Sequence, residues 1–211
     1  MKEGGMTVNR RRKTVSIILL WVTGFLCIGW ADTWEGIRGA AGTIQTIRAD
    51  FVQEKHLSIL SKPLISKGVF YYQAPDSLRW EYTSPVRSIL LMHQGKTRRY
   101  TDTGKGLIEG SHMGTQGMKI VLQEIALWLG GHFSDDPAFD AALKEDRTIV
   151  LTPKDKGFSK MIQHIDLRLS DTPGIITSVE IYEDESSVTR LLFRNAEINE
   201  EIKEAVFLEI S

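Results

Sequence analysis

Between residues 68 and 85 the chain reads GVFYYQAPDSLRWEYTSP. Residues 69–73 and 77–83 are β-type runs flanking Ala74-Pro75-Asp76, where proline presets a turn dihedral and aspartate can bond its own backbone, so a hairpin is expected. In the second run Leu78, Trp80 and Tyr82 alternate with Arg79, Glu81 and Thr83. A period of two sends the apolar trio to one face and the charges to a wet one.

Upstream, Trp34, Ile37, Ala41 and Ile44 recur near helical spacing behind Asp32 or Thr33 as a cap. Gly36, Gly39 and Gly42 weaken this helix by up to ~1 kcal/mol each relative to alanine, so it must pack on something. At Ile47, Ala49 and Phe51 the period changes to two, which places a strand over 46–55. Residues 56–67, polar and carrying Pro63, read as a loop or ragged edge. A strand pair, 88–94 and 96–101, turns at Gln94-Gly95, glycine permitting positive φ. Residues 102–117 hold five glycines with little periodicity and read as a mobile loop.

In 118–129, MKIVLQEIALWL, the residues Met118, Val121, Leu122, Ile125 and Leu129 make one helical stripe, while Ile120, Leu127 and Trp128 fall outside it. A helix apolar on most sides is buried on both faces or covers a hydrophobic hollow. Another helix start is read at Asp136-Pro137, with Phe139, Ala142 and Leu143 turned inward. Runs at 147–152, 161–169, 175–182, 188–194 and 205–210 follow at intervals of about ten residues with turn chemistry between them, the pattern of an antiparallel meander. The chain is therefore expected to be α+β, with about ten strands in a strongly curved antiparallel sheet and helices on its concave face.

The first 31 residues read as an address. Arg10, Arg11, Arg12 and Lys13 precede an apolar run over 15–28 that is short for a membrane span, and Gly29-Trp30-Ala31 resembles a cleavage site. A signal peptide over 1–31 and a single domain over 32–211 are expected. The only cysteine, Cys27, lies in the apolar run, so the domain has no disulfide and must be held by its core. Leaving out residues 1–31 removes five basic groups and one acid, taking the formal charge from −1 to about −5 and arguing against a nucleic-acid partner.

Catalytic patterns are missing from the sequence. His56, His93, His112, His132 and His164 lie far apart with no ligand-pair spacing, and the glycines around Ser111 do not form a nucleophile elbow. Gly104-Lys105-Gly106 follows no strand-to-helix phosphate cradle, and Asp135-Asp136 reads as a helix cap. No catalytic residue, metal ligand or cofactor is assigned. What the chain does carry is a surplus of large apolar residues on elements able to enclose a hollow: Phe51, Leu78, Trp80, Tyr82, Leu91, Trp128, Leu129 and Phe133 are the candidate lining. An ordinary packed core is the competing reading of the same residues.

Phe51-Val52-Gln53, then Gly68-Val69-Phe70-Tyr71-Tyr72, then Leu78-Arg79-Trp80-Glu81-Tyr82-Thr83-Ser84-Pro85 resemble the motif order of the LolA family of periplasmic lipoprotein carriers. The segment 188–199 with Asn199, and Phe207 beyond it, extend the likeness. Two departures stand out: Ala74 replaces the arginine that many members place before the turn proline, and the chain stops at Ser211 without the family's usual tail. The resemblance implies an incomplete β-barrel of 10 to 11 strands closed by helices. It also implies a monomeric periplasmic carrier that binds acyl chains of lipoproteins, or other acylated lipids, between an inner-membrane release complex and an outer-membrane acceptor.

Overall fold

The computed structural model describes residues 33–110, 124–172, 174–183 and 185–210, which belong to the compact unit Ala31–Ser211. The segment read as a signal peptide lies outside the described residues. Among the described residues no helix is long and apolar enough to cross a membrane.

Thr33 caps helix α1 (Trp34–Ala41) by accepting from the Gly36 N–H at 3.1 Å. Ile37 and Ala41 are buried beneath it. Gly131 and Gly174, at φ of 75° and 80°, touch its last turn: a Cβ at Gly131 would lie 2.7 Å from the Arg38 Cα, and one at Gly174 would lie 2.8 Å from the Ala41 nitrogen. The glycine-weakened helix is thus held by tertiary packing.

Eleven strands follow: β1 (Thr46–His56), β2 (Leu64–Gln73), β3 (Ser77–Ser84), β4 (Ser88–His93), β5 (Lys96–Asp102), β6 (Leu107–Glu109), β7 (Phe139–Leu143), β8 (Thr148–Pro153), β9 (His164–Leu169), β10 (Ile176–Tyr182) and β11 (Val188–Ile198). Helix α2, described over 124–129, lies between β6 and β7, and α3 (Ala205–Leu208) follows β11. The strands form one antiparallel sheet in the order β6-β5-β4-β3-β2-β1-β11-β10-β9-β8-β7. First and last strands pair at its middle, Phe51 opposite Phe193. Two meanders therefore run outward from that pair, and the sheet stays open at β6 and β7.

Several expectations are corrected. Residues Phe139–Leu143 form an edge strand rather than a helix. The Asp136 carboxylate does accept the N–H groups of Ala138 and Phe139, but that bond shapes a turn into β7. Residues 205–208 are helix α3 instead of strand, and β2 begins at Leu64, inside the segment read as loop. Within 102–117 the structure has strand β6, while 111–117 lie outside the described residues, as do residues 118–123 of the expected helix.

Register separates the two faces. Ile47, Ala49 and Phe51 stand beside Tyr72, Phe70 and Gly68, and those beside Leu78, Trp80 and Tyr82. This inner face continues through Leu191, Val179, Leu167 and Ile149 to Leu143 at the far edge. Most of it belongs to one hydrophobic cluster with Ile37, Trp128, Leu129 and Phe133. On the outer face a second, smaller cluster joins Ile89, Leu91 and Tyr100.

Candidate functional site

The inner face has an aromatic part and an aliphatic part. Phe51 lies 5.0 Å from Trp80 and 5.2 Å from Tyr82 between ring centroids, the second pair edge-on, and Phe70 lies 5.3 Å from Trp80. Phe193 closes the group at 6.0 Å from Trp80 and 6.1 Å from Phe70. These tilted and edge-to-face arrangements suit the aromatic quadrupole. Gly68 makes the group possible, because a methyl there would collide with the Phe51 ring and the Glu81 carbonyl oxygen. Toward β7 the lining changes to Ile149, Leu151, Ile165 and Leu167, all at most 3% exposed.

Helices cover this surface. From α2, Trp128 lies 5.9 Å from Phe139 in a T-shaped contact, and its indole N–H donates to Asp136 Oδ2 at 2.9 Å. Asp136 is 1% exposed, and its backbone oxygen accepts from Lys154 Nζ at 2.9 Å. Beside it, burial and the neighbouring Asp136 carboxylate push the Glu124 carboxyl up to about 7. At α1, Trp34 meets Phe133 at 6.4 Å, and the Arg38 guanidinium pairs with Asp135.

Polar groups collect where β1 and β3 end. The Tyr82 hydroxyl donates to Gln53 Oε1 at 2.8 Å, so two motif residues meet across the sheet. Burial pushes the Tyr82 phenol up, and the nearby Trp80 indole opposes that shift without making a hydrogen bond of normal geometry. Farther along β1, Lys55 Nζ donates to Glu183 Oε1 at 2.9 Å. At the opposite end Asn199 accepts from the Gln45 N–H at 2.7 Å and donates to the Thr43 oxygen at 3.1 Å, tying the end of β11 to the loop between α1 and β1.

Of the eight expected lining residues, the structure gathers seven on this face. Phe51, Leu78, Trp80, Trp128, Leu129 and Phe133 are buried in its cluster, and Tyr82 packs against it half-buried. Leu91 is the exception. It stands opposite Arg79, not opposite Trp80, and therefore faces outward into the second cluster. The Trp80 neighbour on β4 is Leu90. Phe70 and Phe193 were missed, although the period-two pattern places Phe70 on the face of Tyr72 and Gly68.

The charged side of β3 is not wet. Arg79 is 5% exposed and donates to the backbone oxygens of Val206 and Glu209 at 2.9 and 2.6 Å, under α3. Its guanidinium also pairs with Glu81 at 2.7 Å, and Glu81 in turn holds Arg87 at 2.9 Å. Nearby, His93 stacks on Phe207 at 5.9 Å and shares a 2.8 Å hydrogen bond with the Ser77 hydroxyl. Among the described residues no group of three or more His, Cys, Asp or Glu side chains is placed to hold a metal ion.

An open antiparallel sheet with one apolar face under short helices defines a protein of the LolA-like α+β class. The chain belongs to the LolA family: the model described as outer membrane lipoprotein carrier protein LolA matches residues 42–208. No curated protein matches the chain. Solved structures similar to it include a DUF1329 family protein from Desulfovibrio piger, at 11% identity and TM-score 0.48 over 82% of this chain and 95% of that one. The Pseudomonas aeruginosa MucA/MucB complex is similar at 14% identity and TM-score 0.49 over 81% of this chain and 58% of that one. A LolA superfamily protein from Nitrosomonas europaea is similar at 10% identity and TM-score 0.40, over 84% and 98%.

Proposed function

We propose that the protein is a periplasmic carrier that shelters acyl chains against the inner face and moves lipoproteins, or another acylated lipid, between the two membranes without a catalytic step. The observation that carries this reading is the continuous apolar face from Tyr82 to Leu143 beneath α1 and α2. Each CH₂ withdrawn from water contributes ~0.8 kcal/mol, so part of one acyl chain supplies several kcal/mol of binding. Phe51, Trp80 and Tyr82 pack on one another, so an acyl chain enters by displacing these contacts and those of Trp128 and Leu129. A cleavable signal over 1–31 would deliver the domain, which acts as a monomer with an inner-membrane donor and an outer-membrane acceptor.

The tight aromatic group also favours a second reading, a domain whose inner face is filled permanently by its own side chains. Mass spectrometry of lipids that co-purify with the native protein separates the two. Bound acyl species, lost in Trp80→Asp, support the carrier. Their absence, with unchanged lipoprotein fractionation in depleted cells, overturns it.

A further inference from the structure

The described large apolar side chains left in water are not spread evenly over the molecule. Ile59 is 86% exposed and Leu60 42%, both in the loop between β1 and β2, while Leu64 and Ile65 at the start of β2 are 53% and 51% exposed. Val86, 55% exposed, lies in the turn between β3 and β4, and Met161, 66% exposed, in the connection between β8 and β9. Antiparallel order puts all three connections at one end of the sheet. Isolated exposed leucines need no explanation. Six large side chains at one end do.

The β1–β2 hairpin also projects. Pairing of β2 with β3 stops at Lys67 opposite Ser84, whereas β1 and β2 remain paired to Lys55 opposite Leu64. On that side three strand residues, about 10 Å at the usual rise, stand clear of β3 before the Ile59 loop begins. Apolar side chains on separate projecting tips fit a soft surface that fills in around them better than a rigid flat one.

Charge points the same way. Among the described residues, exposed Lys62, Lys67, Lys105, Lys154, Lys156 and Lys160 lie among or beside these tips and outnumber the exposed acids Asp155 and Glu185 at the same end. At the other end exposed Asp76, Glu145, Asp146, Asp171, Glu200 and Glu201 outnumber the exposed lysines Lys96, Lys144 and Lys203. Residues 32–211 carry a formal charge of about −5, so the excess of lysine around the tips is local and is offset by the acids at the other end. Lysines around apolar tips are the complement of a bilayer with anionic headgroups, where the tips enter the acyl boundary and the lysines remain among the phosphates.

We propose that this end of the sheet docks directly on an anionic lipid bilayer, with Ile59 and Leu60 inserted. The half-buried Tyr82 and Gln53 lie toward the same end of the inner face, so docking brings that face to the membrane. The proposal extends the carrier reading but is measured without cargo: failure to find bound lipid leaves it standing, and failure to dock leaves the carrier standing.

Co-flotation tests it, using residues Ala31–Ser211, a compact unit with its own core. The probes are protein-free vesicles of phosphatidylethanolamine with phosphatidylglycerol, and of phosphatidylcholine alone. The expected result is binding to the anionic vesicles that weakens with salt and falls at least about tenfold in the double variant Ile59→Asp, Leu60→Asp. Leu208→Asp, which changes an exposed apolar residue on α3, should bind like the parent. Matching thermal unfolding shows that each variant is folded. The proposal is overturned if the parent does not float, if it floats only on vesicles carrying native membrane proteins, if the double variant floats equally well, or if Leu208→Asp loses as much.

Discussion

The two faces of β3 solve different problems with alternating residues of one strand. Outward, Arg79 is enclosed by Glu81 and by two backbone oxygens beside α3, each at hydrogen-bond distance. A buried guanidinium is tolerable only when it is satisfied in this way, and the geometry admits little variation. Inward, Trp80 is held by ring contacts alone, and its indole N–H makes no hydrogen bond of normal geometry. Ring contacts have geometric preferences but are weaker than charge-assisted hydrogen bonds and leave no polar group unsatisfied when exchanged, so another apolar surface can replace them. The outer face locks the C-terminal segment to the sheet, and the inner face keeps its partners exchangeable.

The sharpest way to break that contrast is on the inner side. Phe51→Ala should lower stability by about 4 kcal/mol, because Phe51 is 1% exposed and touches both Trp80 and Tyr82. Urea unfolding measures it, and a loss below about 1 kcal/mol would mean that the face collapses freely around the gap. On the outer side, Arg79→Met should lower stability by about 3 kcal/mol: Glu81 keeps Arg87, but the two backbone oxygens lose their buried donor. The contrast predicts that any lipid co-purifying with the protein survives Arg79→Met and is lost in Phe51→Ala. Equal loss in both would show that the faces are not independent.

Strict alternation made the inner face of β1 and β3 readable, since Ile47, Ala49, Phe51 and Leu78, Trp80, Tyr82 can face only one way together. Where alternation failed, so did the assignment of faces. The β4 run Ser-Ile-Leu-Leu-Met-His is apolar on both sides, and nothing local says that Leu90 and not Leu91 accompanies Trp80. Asp136-Pro137 carries a signal that opens helices and turns alike, so edge strand β7 was read as a helix. Arg79 looked wet because its cover, α3, arrives from more than 120 residues away. The β-type run 205–210 becomes that helix once Phe207 finds His93. Gly68 was read as the entry to a hairpin and as part of the family motif, although its missing side chain is what admits the Phe51 ring.

The smallest expected effect concerns how the cover is held to the inner face. Glu124 on α2 sits against Asp136, whose other partners are the Trp128 indole and the backbone N–H groups of Ala138 and Phe139, while Lys154 reaches only its backbone oxygen. Burial disfavours the charged form of Glu124, and a hydrogen bond to Asp136 and repulsion from its carboxylate add to this, so Glu124 keeps its proton up to about pH 7, against an ordinary value of 4.5. Between those values the folded chain holds a proton that the unfolded chain has released. Stability from this group is therefore fully present below pH 4.5, declines as pH rises toward 7, and changes no further above it. Glu124→Gln keeps a neutral side chain at all these pH values, so its unfolding free energy should fall less steeply over that interval than the parent's. Denaturant unfolding at a series of pH values reads the difference, and identical slopes would mean that α2 is held by Trp128 and Leu129 without help from the shared proton.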